Sequence, residues 1–436
     1  MPKMATIIFA SPRRLHLQIY CTSGTPVRRN LGIWPALPII LNYSGSRRIA
    51  PDDEDNVIAA LEHPDRLCSV WLEATGSQWE RMARVMYKPF PVLTYLCIST
   101  NDENAPVLPT EFFGGSTPCL QEIDLCGIPF PALPTLLLSA GDLSELYLSK
   151  IPPTGYISHE AMVEGLAALS RLKFFEIGFQ SATPRPDRIR LPAVTRTVLP
   201  LSIFKFKGAS EYLEDLVSRI DGPLLNHISI DYFNQLVDFQ VAQLSKFINH
   251  SVADLTLFRR ARVAFFNDRV SFDMYPHVCP LSLSRGPIRT AILCEGIDWQ
   301  VSHMAQVLSQ LSATLSNVVH LKLEAEVREG RQLKDTDDVE WLLLLHQFSA
   351  MQTLHTSQEL AGHIALALEG ITAGVFTEAL PFLGLICLEG HPASCVEKFV
   401  ASRHLSDRPV TVVDTTMEFD EILKTYEEDQ EEDGSD

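Results

Sequence analysis

The sequence predicts an α/β fold in which short strands alternate with helices or turns along most of the chain. An apolar triplet with the spacing L-x-x-L-x-L recurs through the 436 residues. Segments with the periodicity of amphipathic helices, or with several prolines, lie between the triplets. The 46% hydrophobic content is that of a folded globular chain. No apolar run approaches the roughly 20 residues of a membrane-spanning helix.

The triplet is clearest in two segments, LQEIDLCGIPF at 120–130 and LSELYLSKIP at 143–152, which share L-x-x-[I/L]-x-L-x-x-I-P. The clear triplets are Leu67/Val70/Leu72, Leu93/Leu96/Ile98, Leu120/Ile123/Leu125, Leu143/Leu146/Leu148, Leu172/Phe175/Ile177, Leu201/Phe204/Phe206 and Leu225/Ile228/Ile230. Their first residues are 26, 27, 23, 29, 29 and 24 positions apart. Looser triplets begin at Ile288, Val318 and Leu383. This near-constant spacing indicates a structural repeat.

Helices are predicted between several triplets. Ser77 and Glu80 have the spacing of a capping box, in which each side chain satisfies a backbone N–H at the helix start. Ser210 opens an amphipathic segment that we expect to end at Gly222. Ser158 precedes His159 and Glu160, which we expect in the first turn of a helix. Further helices are expected at 53–62, 159–169, 238–249, 299–313, 337–348, 359–369 and 392–402.

A strand followed by a helix or turn in each repeat of this length is typical of a leucine-rich-repeat solenoid. Each unit stacks on its neighbours because it cannot bury its apolar face alone. We therefore predict an irregular leucine-rich-repeat-like solenoid over residues 1–413, with parallel strands on the concave side and helices and turns outside. The irregularity follows from the missing motif asparagine, near whose place Ile-Pro often stands.

Two segments break this rhythm. Residues 181–200 carry four prolines and the four arginines Arg185, Arg188, Arg190 and Arg196, which indicates a basic surface loop or a docking loop for an acidic partner. Residues 255–294 contain alternating apolar and polar residues, which predict extra strands or a hairpin and a possible interruption of the solenoid.

The distribution of charge and the spacing of cysteines indicate which partners and which compartment to expect. Eleven acidic residues and one lysine in 414–436 supply much of the net charge of -18 and predict a disordered acidic tail. A nucleic-acid-binding chain would need a basic face, so no nucleic acid partner is expected. The nine cysteines include no C-x-x-C pair and indicate a reduced, cytoplasmic or nuclear compartment.

Neither cofactor nor metal chemistry is expected from the sequence. The chain has no G-x-S-x-G, G-x-x-x-x-G-K-[ST], G-x-G-x-x-G or H-E-x-x-H motif. His277 with Cys279, or His391 with Cys395, could share a metal, but isolated pairs of this kind are more often structural. We therefore expect no catalytic residues, no cofactor and no metal site.

The chain resembles the F-box-like family of mushroom-forming fungi. The resemblance runs from about residue 6 to about residue 425 and is carried by 120–172, by GASEYLEDLVSRIDGPLLNHISIDYFNQLVDFQ and by CEGIDWQVSHMAQVLSQLSATLSNVVHLKLE. It implies a helical F-box that binds the adaptor of a cullin-RING ubiquitin ligase, followed by a leucine-rich-repeat-like domain that selects the substrate. An F-box would carry an early Leu-Pro and a later Trp, whereas SPRRLHLQIY begins almost at once. The expectation is that the F-box has been lost or truncated.

A repeat of this kind would bind its partner through the x positions of L-x-x-L-x-L, which point away from the core. The residues expected on that partner-binding face are Glu122, Asp124, Glu145, Tyr147, Glu176, Lys205, His227 and Asp231.

Three functions remain open from the sequence. The first is substrate recognition for a ubiquitin ligase, with the ligase adaptor as a partner only if an F-box exists upstream. The second is an F-box-less scaffold or sequestering protein, and the third is an enzyme. The first two predict a protein partner or ubiquitylation substrate and no membrane partner.

Overall fold

The structure is a computed structural model, and it describes residues 18–22, 24–43, 51–102, 105–182, 196–234, 239–277, 286–326, 338–370, 380–389 and 396–413. Several features of the sequence lie outside these ranges: the acidic tail at 414–436, Arg185, Arg188, Arg190, Cys279, His391 and Cys395. The chain forms two compact units. Unit 1 comprises residues 1–208 and 218–225, and unit 2 comprises residues 209–217 and 226–436. The prediction of one repeat domain over 1–413 stays a prediction.

Unit 1 contains a parallel sheet with the strand order β1-β2-β3-β4-β5-β6-β7-β9. Its described strands are β1 Ile19–Cys21, β2 Ile39–Tyr43, β3 Leu67–Glu73, β4 Tyr95–Ser99, β5 Glu122–Cys126, β6 Glu145–Ile151, β7 Phe174–Phe179, β8 Thr197–Val198, β9 Ile203–Gly208 and β10 Ile220–Asp221. The short strands β8 and β10 pair with each other. The α-helices are α1 Val27–Asn30, α2 Pro51–Leu61, α3 Gly76–Ala83, α4 Leu133–Leu137 and α5 His159–Ala167. Two 3₁₀ turns, Phe112–Gly115 and Pro153–Gly155, lie between strands.

The apolar triplets form the core side of this sheet. The parallel register places one triplet residue from each of β4, β5, β6, β7 and β9 in a row: Leu96, Ile123, Leu146, Phe175 and Phe204. Each of these side chains is at most 1% exposed. Because every strand contributes to the same row, the buried face is continuous along the sheet, and no single strand buries it alone.

Helix boundaries in unit 1 depend on local hydrogen bonds. α3 begins one residue before Ser77, and Thr75 is its N-cap rather than Ser77, because the Thr75 N–H donates to Gln78 Oε1 over 3.0 Å. α5 begins at His159 as expected, since the Ser158 hydroxyl accepts from the Ala161 N–H. The proline-rich linker after β5 forms the one-turn α4, with Pro134 where a missing N–H costs nothing.

Unit 2 contains a mostly parallel sheet with the strand order β11-β14-β13-β12-β15-β16-β17-β18. Its described strands are β11 His227–Phe233, β12 Arg260–Phe265, β13 Val270–Tyr275, β14 Ile288–Leu293, β15 His320–Ala325, β16 Thr353–Thr356, β17 Leu385–Leu388 and β18 Thr411–Val413. Its α-helices are α6 Ser210–Val217, α7 Ala242–Ser251, α8 Ile297–Gln310, α9 Ser312–Leu315, α10 Asp338–His346, α11 Gln358–Gly370 and α12 Glu397–Leu405. A 3₁₀ turn spans Leu255–Leu257. The helix predicted from Ser210 begins there but ends at Val217, and residues 220–221 form β10 instead of continuing toward Gly222.

The hairpin predicted within 255–294 is confirmed. β12 and β13 are antiparallel from Arg260↔Tyr275 to Phe265↔Val270, and β13 is also antiparallel to β14. β12 is in turn parallel to β15, and β14 is parallel to β11. The hairpin therefore inserts a single reversed strand, β13, into a sheet whose other described pairings are parallel. Each unit is thus an α/β structure with a mostly parallel sheet and helices.

Glu214 of α6 links two helices of unit 2. Its carboxylate accepts from the backbone N–H groups of Gln243 and Leu244 over 2.7 and 2.8 Å, at the first turn of α7. These N–H groups have no partner within their own helix, so the carboxylate satisfies two donors of the α7 N-terminus. Burial raises the pKa of Glu214 to about 7 despite those two hydrogen bonds.

We expect Glu214→Ala to lower the free energy of unfolding of unit 2 by about 1–3 kcal/mol, because two helix N–H groups lose their acceptor. Glu214→Gln should lose less and should change the pH dependence. A raised folded-state pKa contributes stability that is present below pH 4.5 and is lost as the pH rises through 7. Hydrogen exchange of α7 between pH 4.5 and 8 should therefore change less in Glu214→Gln than in the wild type. Equal pH dependence in both proteins would contradict this role.

Among the described residues, no helix is both long and apolar enough to cross a membrane.

Candidate partner-binding face

The outward side of the unit 1 sheet is defined by the side chains that alternate with the buried triplets. Strand β5 and the first five residues of β6 alternate between half-buried and buried residues. We call this surface the unit 1 face and define it by Trp71, Tyr95, Cys97, Glu122, Asp124, Glu145, Tyr147, Phe174, Glu176 and Lys205. Six of the eight residues predicted to contact a partner lie on it: Glu122, Asp124, Glu145, Tyr147, Glu176 and Lys205.

The parallel register orders the unit 1 face into two rows. One row contains Tyr95, Glu122, Glu145 and Phe174 on β4, β5, β6 and β7. The second contains Trp71, Cys97, Asp124, Tyr147, Glu176 and Lys205 on β3, β4, β5, β6, β7 and β9. Because neighbouring strands lie about 4.8 Å apart, side chains next to each other in a row are in direct range of one another.

Carboxylates crowd the middle of the unit 1 face. Burial raises the pKa of Glu122, and the charges of Glu145 and Asp124 raise it further. Burial also raises the pKa of Asp124, although the Cys97 thiol donates to its Oδ2 over 3.7 Å. A carboxyl group whose pKa is raised in this way is one whose ionised form lacks compensating positive charge. The centre of the face is therefore electrostatically suited to a cation.

Aromatic rings lie beside these carboxylates. The Tyr147 hydroxyl donates to Glu145 Oε2 over 2.6 Å, and the Tyr147 ring lies 4.2 Å from the Phe174 ring between centroids. Trp71 and Tyr95 form a second ring pair at 6.4 Å, and Trp71 is 42% exposed. Sequence reasoning missed Trp71, Tyr95 and Phe174. Their position at the outward sites of the same repeat was the signal that could have found them.

Lys205 shows how this face holds a positive charge. Its ammonium lies 3.8 Å from Glu176 Oε2 and 5.0 Å from the centroid of the Phe174 ring. Both contacts attract a cation, the first by Coulomb attraction and the second through the ring quadrupole. Glu176 and Phe174, both on β7, therefore form a cation-binding pair of a carboxylate and an aromatic ring on this surface.

The other two predicted residues, His227 and Asp231, lie in unit 2. Both are half-buried on β11 and alternate with the buried Ile228 and Ile230, as the repeat predicts. Ser229, between them on the same side of β11, is in register with Arg289 of β14. The structure therefore divides the eight predicted residues between the two units.

The sheet of unit 2 carries paired charged side chains, which sequence reasoning missed. Arg262 is 8% exposed and forms ion pairs with Glu324 and, over 3.0 Å, with Glu326. Asp273 is fully buried, lies 3.6 Å from Arg289 and accepts from the Gly286 N–H over 3.0 Å. Except for the half-buried Glu324 and the exposed Glu326, these charges are buried, and all of them are paired within the chain, which indicates a structural network, since buried charges require partners.

The described residues contain no group of three or more His, Cys, Asp or Glu side chains that could hold a metal ion. On the unit 1 face, burial raises the pKa of the Cys97 thiol to about 12, so it is protonated and weakly nucleophilic near neutral pH. The chemistry of this face is acidic and aromatic, which suits recognition of a positively charged partner. We compared the chain with family models and with curated proteins, and neither comparison gives a match.

Proposed function

We propose that this chain is a non-catalytic protein-binding repeat protein that holds a basic segment of its partner on the unit 1 face. The observation that carries the proposal is the juxtaposition of carboxylates and aromatic rings on the outward side of the parallel strands, where Glu176 and Phe174 of β7 hold the ammonium of Lys205 from β9. On β5 and β6, Glu122, Asp124 and Glu145 offer further carboxylates for the cations of a partner.

We further propose that the repeats form a leucine-rich-repeat-like solenoid. Three features of unit 1 support this: strands that pair parallel in near chain order, a helix or turn after most of them, and triplet residues aligned in one buried row. In such a solenoid the outward sides of the strands form a long binding surface.

The resemblance to the fungal F-box-like family suggests what this binding serves. We propose that the chain acts as the substrate-recognition part of a ubiquitin-ligase receptor, in the cytoplasm or nucleus. In that role the partner held on the unit 1 face would be the ubiquitylation substrate. Without an F-box, the same surface would serve a scaffold or sequestering protein.

Photo-crosslinking tests the location of the binding surface. A benzophenone amino acid would replace Tyr147 on the unit 1 face or, as a control, Leu138, which is 54% exposed near α4. We expect Tyr147-specific crosslinks whose partner peptides carry lysine or arginine, and their loss in Glu122→Gln/Asp124→Asn. The same products from both positions would contradict the proposed surface.

Co-purification with the ligase adaptor separates the two roles. If the chain serves a ligase directly, the purified adaptor binds the purified 436-residue chain. If it serves as a scaffold, the adaptor does not bind, while the Tyr147 crosslinks persist.

A further inference from the structure

Unit 2 contains an open cleft of about 700 Å³ at one end of its sheet. β11 and β14 are parallel, and β12 runs in the same direction because it is separated from β14 by one antiparallel strand. The cleft therefore lies where the carboxyl ends of three strands meet, next to Asn234, the β12–β13 turn and Leu293. Ligands in open α/β sheets commonly bind outside the carboxyl ends of strands.

Gln300 links the β12–β13 turn to the segment after β14, which form two sides of the cleft. Its side chain is fully buried, and its Nε2 donates to the Phe266 carbonyl in the hairpin turn and to the Cys294 carbonyl after β14, each over 2.9 Å. The turn is closed by the Phe266 N–H, which donates to the Arg269 carbonyl over 2.8 Å. The cleft is thus bounded by segments held together by hydrogen bonds, so its shape is set before any ligand binds.

Trp299 of α8 exposes a large apolar surface to the cleft. It is 60% exposed, and its ring lies 5.6 Å from His303, one turn later on α8. His303 in turn packs against Phe239 at 5.4 Å. Leu293 and the buried Cys294 complete the apolar part of the lining. The described lining therefore combines three apolar residues with the polar Asn234, Asp268, Glu295 and His303, and such a mixture can both pack against a ligand and fix its orientation.

The polar groups of the cleft select the charge of its ligand. Asp268 and Glu295 are exposed carboxylates of the lining, and no lysine or arginine belongs to the described lining. Arg269, next to Asp268 in sequence, lies over the Phe266 ring at 4.7 Å. Burial lowers the pKa of His303, so its imidazole is neutral near pH 7. The carboxylates exclude anions such as phosphates and favour a cation that can also stack on the indole.

We propose that this cleft binds an organic cation, a guanidinium or ammonium group, stacked on Trp299 and paired with Asp268 and Glu295. The site is separate from the unit 1 face, and its test does not depend on the proposed function. The cation could belong to a free amine or to an arginine or lysine side chain of a bound peptide.

Fluorine NMR of the full chain labelled with 5-fluorotryptophan tests this site. The five tryptophans give five resonances, and Trp299→Phe identifies the one from Trp299. Three probes are used. Agmatine represents a free cation, and the acetylated and amidated tripeptide Gly-Arg-Gly represents an arginine side chain of a peptide. The same tripeptide with citrulline in place of arginine is the neutral isostere of that side chain. We expect saturable shifts of the Trp299 resonance at millimolar agmatine or arginine peptide, and at least tenfold weaker binding of the citrulline peptide. A preference for agmatine would identify a free ligand, and a preference for the peptide would identify a partner side chain.

Charge-matched variants complete the test. Asp268→Asn/Glu295→Gln should weaken the binding at least tenfold, whereas Glu359→Gln/Glu397→Gln, which removes two exposed carboxylates elsewhere in unit 2, should leave it unchanged. The proposal is overturned if no cationic probe moves the Trp299 resonance, if citrulline moves it equally, or if both double variants bind alike.

Discussion

Asp273→Ala is expected to lower the free energy of unfolding of unit 2 by about 3–5 kcal/mol, the usual cost of removing one partner from a buried ion pair. Asp273 is fully buried beside Arg289, which is 7% exposed. Its removal leaves the guanidinium without its carboxylate and the Gly286 N–H without its acceptor. Burial raises the pKa of Asp273, whereas the charge of Arg289 and the hydrogen bond from the Gly286 N–H lower it, so these two partners favour the ionised form that burial disfavours.

Two variants separate the charge from the hydrogen bond. Asp273→Asn keeps an acceptor for Gly286 and should lose less stability than Asp273→Ala. Asp273→Ala/Arg289→Met should recover part of the loss, because the second change removes the unpaired charge. Hydrogen exchange of β12–β14 reports the stability of this unit, with the exposed Glu359→Ala as a control expected within about 0.5 kcal/mol of the wild type. A loss in Asp273→Ala no larger than in the control would show that the pair is not structural.

Phe175→Ala is expected to lower the free energy of unfolding of unit 1 by about 3–5 kcal/mol, as large-to-small changes in a packed core do. Phe175 is fully buried in the triplet row and stacks on Phe204 at 5.7 Å between ring centroids. The cavity left by Phe175→Ala would stay largely unfilled, because the parallel strands on either side hold the neighbouring core residues in place.

Phe174→Ala is the matched comparison, because it changes the same residue type one position earlier on β7. Phe174 is half-buried on the unit 1 face, where it contacts Tyr147. Its loss should cost under about 2 kcal/mol, the value of partial burial and one ring pair. Hydrogen exchange of β6, β7 and β9 measures both variants. Equal losses would contradict the assignment of alternate residues to core and surface.

The repeat could be predicted from the sequence because every strand must supply apolar residues at the same positions to the buried side of the sheet. Ile123 and Phe175 occupy equivalent positions, and both are buried since each strand needs the same apolar row. The boundary at Thr75 could not be predicted from spacing alone, because the capping box of Ser77 and Glu80 fits the same pattern that Thr75 and Gln78 satisfy. Short strands such as Ile19–Cys21 and Thr197–Val198 carry too few residues for a periodic signal.

The candidate site was predictable to a similar extent. Glu122 and Asp124 were expected on the outward side, and they lie on that side, although half-buried. Phe174 and Trp71 were missed because sequence reasoning assigns apolar residues to the core. Large aromatic rings also occur on the half-buried face of a sheet. The pairing of Asp273 with Arg289 depends on strand order in three dimensions, which the sequence does not encode at any fixed spacing.

Calorimetric titration with a basic peptide tests the central claim most directly. The peptide would alternate lysine with glycine and serine, and the face variant would be Glu122→Gln/Asp124→Asn/Glu145→Gln. A control variant, Glu62→Gln/Glu80→Gln/Glu164→Gln, removes the same charge from exposed positions elsewhere in unit 1. Because all the proteins share the acidic tail, non-specific attraction to it is equal in all of them. We predict at least tenfold weaker binding for the face variant and near wild-type binding for the control. Equal affinities in the two variants would contradict the unit 1 face as the partner-binding surface.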